Sequence, residues 1–277
     1  MLARARGPAA ITLMLAVALS ACSSGTAPTG GTNPSSTSTP SPTASAGARA
    51  HTDASTPADQ AGALDATPAP EPPPPGEAPI TAAPTAGLYR YAQEGRGVFG
   101  DYPAEGTLRV RAATLATNGQ RQRQVRTVSD EQITENTFVF TDAGVLLEEI
   151  TQRVGSGSFA QTFTCTLTPA LQLVRLPLQV GASWKGASTC QGLDVTFRAS
   201  FLREDRLTVA RTTVDTIVMK ATYEAEGDGI EQTTVTTSWI SPDHRLIVRS
   251  TEETTGRQGA IEFSSSLTET ILNLKPE

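Results

Sequence analysis

Few residues of this chain could carry out nucleophilic or metal chemistry, because it contains two histidines and three cysteines. A hydroxyl or thiol nucleophile needs a base beside it, and His244 is the histidine in the aromatic-bearing part of the chain. His244 follows Ser241-Pro242-Asp243, which is typical of a turn, so we expect a solvated turn histidine. His51 lies in a stretch rich in Ser, Thr and Pro. The sequence therefore predicts no catalytic site, no metal site and no cofactor.

A glycine pattern, Gly95-Arg96-Gly97-Val98-Phe99-Gly100, matches the letters of a dinucleotide-binding loop. That loop also requires a helix directly after it, whose N-terminus faces the pyrophosphate. Here Asp101-Tyr102-Pro103 and a further apolar alternation follow. The pattern therefore indicates a Gly-rich hairpin loop rather than a nucleotide site.

Cys22 ends the stretch Leu19-Ser20-Ala21-Cys22, which follows an arginine-bearing start and an apolar run from Ala9 to Leu19. This run is shorter than the roughly 20 residues that cross a bilayer as a helix. The stretch resembles the lipobox of bacterial lipoproteins. The resemblance implies that residues 1–21 are a cleaved signal peptide and that Cys22 is lipidated, with palmitate among its acyl chains. It also implies an anchor on the extracytoplasmic face of the cell membrane; the alternative is an ordinary secretory signal with a chance cysteine.

Cys165 and Cys190 are then an even pair in an exported, oxidising setting, where disulfides persist. The sequence predicts a disulfide between them. Alternation puts Cys165 on the apolar face of its strand, and Cys190 shares a face with Trp184 if residues 182–190 are extended. The predicted bridge therefore lies inside the domain.

Composition divides the chain into a linker and one folded domain. Residues 22–85 are mostly Ser, Thr, Pro, Gly and Ala, which cannot bury enough apolar surface to offset ordering entropy, so we predict a disordered tether. All Tyr, Trp and Phe residues lie at or after Tyr89, which predicts a β-rich domain over residues 86–277. The net charge of -6 argues against nucleic acid as a partner.

The folded part alternates apolar and polar residues with a period of two, as in Val195-Thr196-Phe197-Arg198-Ala199-Ser200-Phe201. This pattern predicts strands with one wet face. Turn signals such as Thr141-Asp142-Ala143-Gly144 separate them at short spacing, so consecutive strands should pair antiparallel. The predicted fold class is all-β, with little helix. We expect a curved antiparallel sheet of about ten to twelve strands, as a half-barrel, a closed barrel or two packed layers.

Two tryptophan segments, Leu178-Gln179-Val180-Gly181-Ala182-Ser183-Trp184 and Trp239-Ile240-Ser241-Pro242, resemble signatures of uncharacterised β-rich envelope domains. This resemblance implies a shared sheet and no known activity. The anchored, β-rich plan is also loosely similar to the lipid-carrier lipoproteins related to LolA and LppX. In that family a curved antiparallel sheet, closed by helices, holds an acyl ligand.

The aromatic residues indicate what the sheet encloses. Phe197 and Phe201 share one strand face, Phe163 lies on the apolar face of another strand, and Trp184 and Trp239 lie at strand edges, so we expect a wholly apolar interior. An open concavity of this kind would bind acyl chains, with these five residues lining it. The predicted function is a non-enzymatic, membrane-anchored module that binds an apolar or lipid-like envelope ligand. Two alternatives stay open: a structural or protein-interaction module of the cell envelope with a solid core and, less favoured, a hydrolase.

Overall fold

The computed structural model describes residues 82–227 and 229–277. The predicted signal peptide, the lipidation site at Cys22 and the predicted tether up to residue 81 lie outside the described residues. No helix in the described part of the chain is long and apolar enough to cross a bilayer.

The described residues form fourteen strands and a single 3-10 turn, Gly157–Phe159. Thr, Val and aromatic residues, which favour extended backbone, are common in the strands. In chain order the strands are β1 Gly87–Gly97, β2 Gly100–Asp101, β3 Glu105–Val110, β4 Thr114–Ala116, β5 Gly119–Ser129, β6 Gln132–Thr141, β7 Gly144–Val154, β8 Gln161–Arg175, β9 Ser183–Cys190, β10 Leu193–Val209, β11 Thr212–Gly227, β12 Ile230–Ser241, β13 Leu246–Gln258 and β14 Ile261–Ile271.

The strands close into a barrel. From β5 to β14 each strand pairs antiparallel with the next, β3 joins β5 to β1, and β14 returns to β1, with Tyr91 opposite Ile271 and Arg96 opposite Ser266. Twelve strands make the barrel, while the short β2 and β4 pair with β1 and β5. The all-β antiparallel prediction is confirmed, and the barrel is the form adopted. Closure leaves the sheet without the unpaired edges that promote aggregation.

The barrel has two ends. Turns 142–143, 176–182, 210–211 and 242–245 lie at one of them, which we call the mouth end, and the chain enters the barrel there at β1. Turns 130–131, 155–160, 191–192 and 259–260 lie at the opposite end, which we call the far end.

One half of the barrel interior is apolar. On β10 the alternate residues Val195, Phe197, Ala199 and Phe201 are buried, while their neighbours are more exposed. They pack with inward residues of β7, β8 and β11 into one core cluster, which includes Leu147, Ile150, Leu171 and Tyr223. Burying an aliphatic or aromatic side chain stabilises a fold by about 1.5–3 kcal/mol, so this cluster contributes much of the driving force for folding.

The other half of the interior is polar, so the expectation of a wholly apolar interior is wrong. Buried polar side chains come from β5, β6, β7, β12, β13 and β14, and they are Gln122, Gln152, Thr134, Thr234, Thr236, Ser238, Glu252, Thr254 and Glu269 among others. The expectation was wrong because it was based only on the strands that carry aromatic residues. The remaining strands also close the barrel, and they point Thr, Ser, Gln and Glu into it.

The join between β8 and β9 is the weakest in the ring. Among the described residues it has a single pair in regular ladder register, Thr168 with Thr189. Pro169 follows and has no N–H to donate to a neighbouring strand. Side-chain hydroxyls replace part of the ladder, because Ser188 donates to the carbonyl of Pro169 at 2.7 Å and Thr189 to that of Thr168 at 3.2 Å.

Two further contacts tie β8 to β9. The indole N–H of Trp184 on β9 donates to the carbonyl of Gln172 on β8 at 3.0 Å. Cys165 on β8 is disulfide-bonded to Cys190 on β9, and both cysteines are buried in the apolar half of the interior. The predicted bridge is therefore confirmed, and it joins the two described strands of the barrel that have the fewest paired residues.

We predict that replacing both Cys165 and Cys190 with Ala lowers the free energy of unfolding by about 3–4 kcal/mol. The two residues are 25 apart in sequence, and cross-linking a loop of that length restricts the unfolded chain. Chemical denaturation of the variant and the parent measures the difference, with the reduced parent as the control. Peptide mapping without reductant that finds both thiols free would contradict the bridge.

Candidate functional site: a cavity inside the barrel

A cavity of about 180 Å³ lies between the two halves of the interior. It reaches the mouth end at Val145, Arg245 and Ile247, and Ile247 is 36% exposed there. The volume is slightly larger than a dry cavity of about 150 Å³ known to hold benzene. By this measure the cavity holds about seven non-hydrogen atoms, roughly the size of a short hydrocarbon chain.

Near the mouth the wall of the cavity is apolar. The apolar lining residues lie close to the mouth-end termini of β6, β7, β8, β12 and β13, and they include Phe138, Phe140, Val145, Leu173, Ile240 and Leu246. Met219 of β11 joins them from the apolar half of the interior. The upper part of the cavity is thus suited to a hydrocarbon group.

Deeper in the barrel the lining is polar, and we call this part the floor. Its residues lie farther along the same strands and on β5 and β14: Gln124, Arg126, Asn136, Thr236, Ser238, Ser250 and Glu269. The lining therefore changes from apolar to polar with depth, which matches a molecule with one apolar and one polar end.

Arg126 is the centre of the floor. Its guanidinium donates to both carboxylate oxygens of Glu269, at 3.2 and 2.5 Å, and lies 4.0 Å from Glu252. Gln93 also donates to Glu269, at 2.7 Å. The side chains of Arg126, Glu252 and Glu269 are 15%, 4% and 7% exposed, so little water screens them. Burial alone would lower the pKa of Arg126, but the attraction of Glu269 and Glu252 outweighs it, and the net effect is a raised pKa.

Two polar atoms of the floor have no hydrogen-bond partner among the described residues. They are Oδ1 of Asn136 and Oγ1 of Thr236, in residues that are 8% and 2% exposed. Leaving a buried polar atom unpaired costs about 1–3 kcal/mol, so such atoms in a lined cavity indicate that water or a ligand satisfies them.

Two tyrosines contribute neutral hydroxyls to the cavity wall. Burial, and then the nearby carboxylate of Glu269, raise the pKa of Tyr91 well above its usual value. Burial and the charge of Glu252 have the same effect on the pKa of Tyr223. The Tyr91 hydroxyl donates to the carbonyl of Ile247 at 3.0 Å, which fixes the ring against the wall.

The segment before β1 lies against the mouth. The backbone N–H of Ala83 donates to the Gln120 side chain at 3.0 Å, and the Gln122 side chain donates to the carbonyl of Pro84 at 2.8 Å. Ala83 packs with Phe140 and Val145, and Pro84 lines the cavity. Residues 83–84 therefore form one side of the cavity entrance.

The five residues predicted to line a ligand site lie elsewhere in the barrel. Trp184, Phe197 and Phe201 pack together, with ring centroids 6.4 Å (Trp184–Phe197) and 4.9 Å (Trp184–Phe201) apart, and Phe163 packs beside Leu193 and Ile230. None of these aromatic residues belongs to the lining of the cavity. They fill the apolar half of the interior, which leaves the cavity to other side chains.

Trp239, the fifth predicted lining residue, is held by polar contacts. Its indole N–H donates to Asp205 at 2.9 Å, and the guanidinium of Arg249 lies 5.0 Å from the centre of its ring. The indole hydrogen bond, followed by the backbone N–H of Arg206, lowers the pKa of Asp205. Trp239 thus links β12 to the extended β10–β11 hairpin instead of facing the cavity.

His244 lies in the turn after β12, as predicted. Its Nδ1 is 3.0 Å from Oγ of Ser241, and that same oxygen accepts from the His244 backbone N–H at 3.4 Å. These are contacts between residues three apart that close a turn. Within residues 82–227 and 229–277, no group of three His, Cys, Asp or Glu side chains could hold a metal ion.

The sequence could have predicted the polar interior only if the polar residues of β5 and β12 had been assigned to the inside of the barrel. Gln122, Gln124 and Arg126 alternate along β5, and Thr234, Thr236 and Ser238 alternate along β12. Such rows are normally assigned to the wet face of a sheet. These rows point inward because the sheet closes into a barrel, and the sequence of either strand by itself does not reveal that closure.

No family model matches the chain, and no curated protein matches it either. Among solved structures, the chain is similar to a protein from Parabacteroides distasonis described as a lipoprotein. The two are 10% identical, the similarity covers 69% of this chain and 97% of the other, and the TM-score is 0.36. A TM-score of this size does not identify a shared fold.

We predict that Arg126→Gln lowers the free energy of unfolding by about 3–5 kcal/mol, because it leaves the buried charge of Glu269 without its cation. Arg123→Gln is the matched control, since Arg123 is on the same strand and pairs with Glu135 while 60% exposed. Breaking that exposed pair should cost about 1 kcal/mol or less. Urea denaturation of both variants measures the difference, and equal losses would show that the Arg126 pair is not an essential part of the interior.

Proposed function

We propose that this protein is a lipoprotein anchored at Cys22 on the extracytoplasmic face of the cell membrane, and that its barrel is a non-enzymatic binding module. Its ligand is a small amphipathic or lipid-like molecule of the envelope, bound in the cavity. The observation that carries the proposal is the cavity itself, with an apolar wall at Phe138, Phe140 and Leu246 and unpaired polar atoms at its floor.

The energetics of such a site favour a short hydrocarbon group. Each CH₂ group moved from water into the apolar upper part contributes about 0.8 kcal/mol. A tail longer than the cavity would extend through the mouth, past residues 83–84. The site therefore selects for the part of the molecule that enters the barrel rather than for its total length.

The competing function is a structural or interaction module with a solid core. The apolar half of the interior supports it, because Phe197, Phe201, Leu147 and Ile150 are at most 1% exposed and tightly clustered. The two functions differ in whether the cavity takes up a molecule from solution.

We predict that protein starting at Ser23, which carries no lipid, binds 1-octanol and that Met219→Trp weakens this binding by about tenfold or more. The larger side chain at Met219 occupies space that the ligand needs. Leu202→Trp is the control, because Leu202 is 44% exposed on β10 and its replacement should leave the affinity unchanged. Calorimetric titration measures the affinity, and circular dichroism verifies the fold of each variant.

Native mass spectrometry of the same protein provides an independent readout. A bound mass that the parent carries and Met219→Trp lacks would support the cavity as the site. A bare protein mass together with no measurable uptake of 1-octanol would exclude the binding function and favour the solid module.

For the anchor, we predict that Cys22→Ala abolishes incorporation of labelled palmitate when the full-length chain is expressed in bacteria. The thiol of Cys22 is the group to which the resemblance assigns the lipid, and several acyl chains together give strong membrane affinity. Ser41→Ala, in the predicted tether, is the control and should keep its label. Undiminished labelling of the Cys22→Ala protein would contradict the lipobox assignment.

A further inference from the structure

Carboxyl groups outnumber guanidinium groups at the floor of the cavity. Of the described residues, Arg126, Arg245 and Glu269 are the charged side chains that line the cavity, and Arg245 lies at the mouth. Glu252 lies 4.0 Å from Arg126, beside the floor. Two carboxyl groups therefore surround one guanidinium at the floor, and Glu269 alone suffices to neutralise the charge of Arg126.

The guanidinium is also already engaged. Both oxygens of Glu269 accept from Arg126, so the planar fork that would bind a ligand carboxylate or phosphate is occupied by a carboxylate of the protein. An anionic head group would have to displace Glu269 or lie beside its carboxylate where little water is present. Placing like charges together in a buried site is strongly unfavourable.

One of the two unpaired atoms of the floor requires a hydrogen-bond donor. Oδ1 of Asn136 can only accept, and the Thr236 hydroxyl can accept as well as donate. A ligand hydroxyl or ammonium group would supply the missing donor, whereas a carboxylate would not.

We propose that the ligand of this cavity is an amphiphile whose head group is uncharged or cationic and donates hydrogen bonds, such as an alcohol or an amine, and not a fatty acid. The head binds at the floor, close to Asn136, Thr236 and Glu269, and the hydrocarbon chain extends along Phe138 and Phe140 towards the mouth. This inference rests on the proposed function and specifies the class of molecule that the same site takes.

The test uses three ligands with the same tail and different heads: 1-octanol, octylamine and octanoate. They are titrated calorimetrically at neutral pH into the protein that starts at Ser23. We expect 1-octanol and octylamine to bind about tenfold or more tighter than octanoate, because only octanoate adds a negative charge at the floor. Equal affinities, or tightest binding of octanoate, would overturn the inference and leave the proposed function intact. Absence of binding by all three would refute the proposed function, and the inference with it.

A charge variant tests the cause of the preference. Glu269→Gln removes the carboxylate that the head group faces while keeping a side chain that can accept from Arg126, so the ratio of octylamine to octanoate affinity should fall by about tenfold. Glu253→Gln is the matched control, because it changes the net charge equally from an exposed position on β13 and should leave the ratio unchanged. A ratio that is unaffected by Glu269→Gln would overturn the assignment of the floor as the head-group site. If Glu269→Gln does not fold, the comparison of the three ligands on the parent protein still decides the inference.

Discussion

The barrel depends on the join between β8 and β9. A closed sheet requires every pair of neighbouring strands to stay together, and this pair has the least regular pairing. Elsewhere neighbouring strands share a backbone ladder, but here Pro169 interrupts it and a single residue pair keeps the register. The disulfide between Cys165 and Cys190 and the hydroxyl and indole hydrogen bonds hold the two strands at the required spacing. The disulfide therefore holds β8 and β9 together where main-chain hydrogen bonds are few.

The width of the barrel explains its mixed interior. About eight strands enclose a space that side chains can just fill, whereas twelve leave additional room. In this protein the aromatic and aliphatic residues of β7, β8, β10 and β11 fill one half of that room. The opposite half holds polar side chains, including Gln152, whose amide has no partner among the described residues at either end. A wide barrel can tolerate such groups, because water or a ligand can reach them.

The sequence was sufficient to predict the strands and their antiparallel order, because alternation and turn chemistry are local signals. It also identified Phe197 and Phe201 as inward-facing residues and Cys165 with Cys190 as a pair. The floor of the cavity was not predicted, and β12 shows why. Both of its faces carry two large apolar residues, Val235 and Trp239 on one and Ile230 and Ile240 on the other, and the second face is the one that buries Thr236 and Ser238 inside. Which face of β12 points into the barrel is set by the strands on either side of it. Pairing of β1 with β14 likewise has no signal in either strand alone.

The position of β1 and β14 at opposite ends of the chain also has a kinetic consequence. Most strand pairs are hairpins that can form as soon as two consecutive segments are available, but Tyr91 must find Ile271 across nearly the whole domain. Contacts between such distant residues form slowly, because the closure entropy of the loop is incurred before they stabilise the fold. The pairing of β1 with β14 cannot form until the last strand is available. Until then an open sheet with two unpaired edges is exposed, and in this interval the chain is most dependent on protection from aggregation.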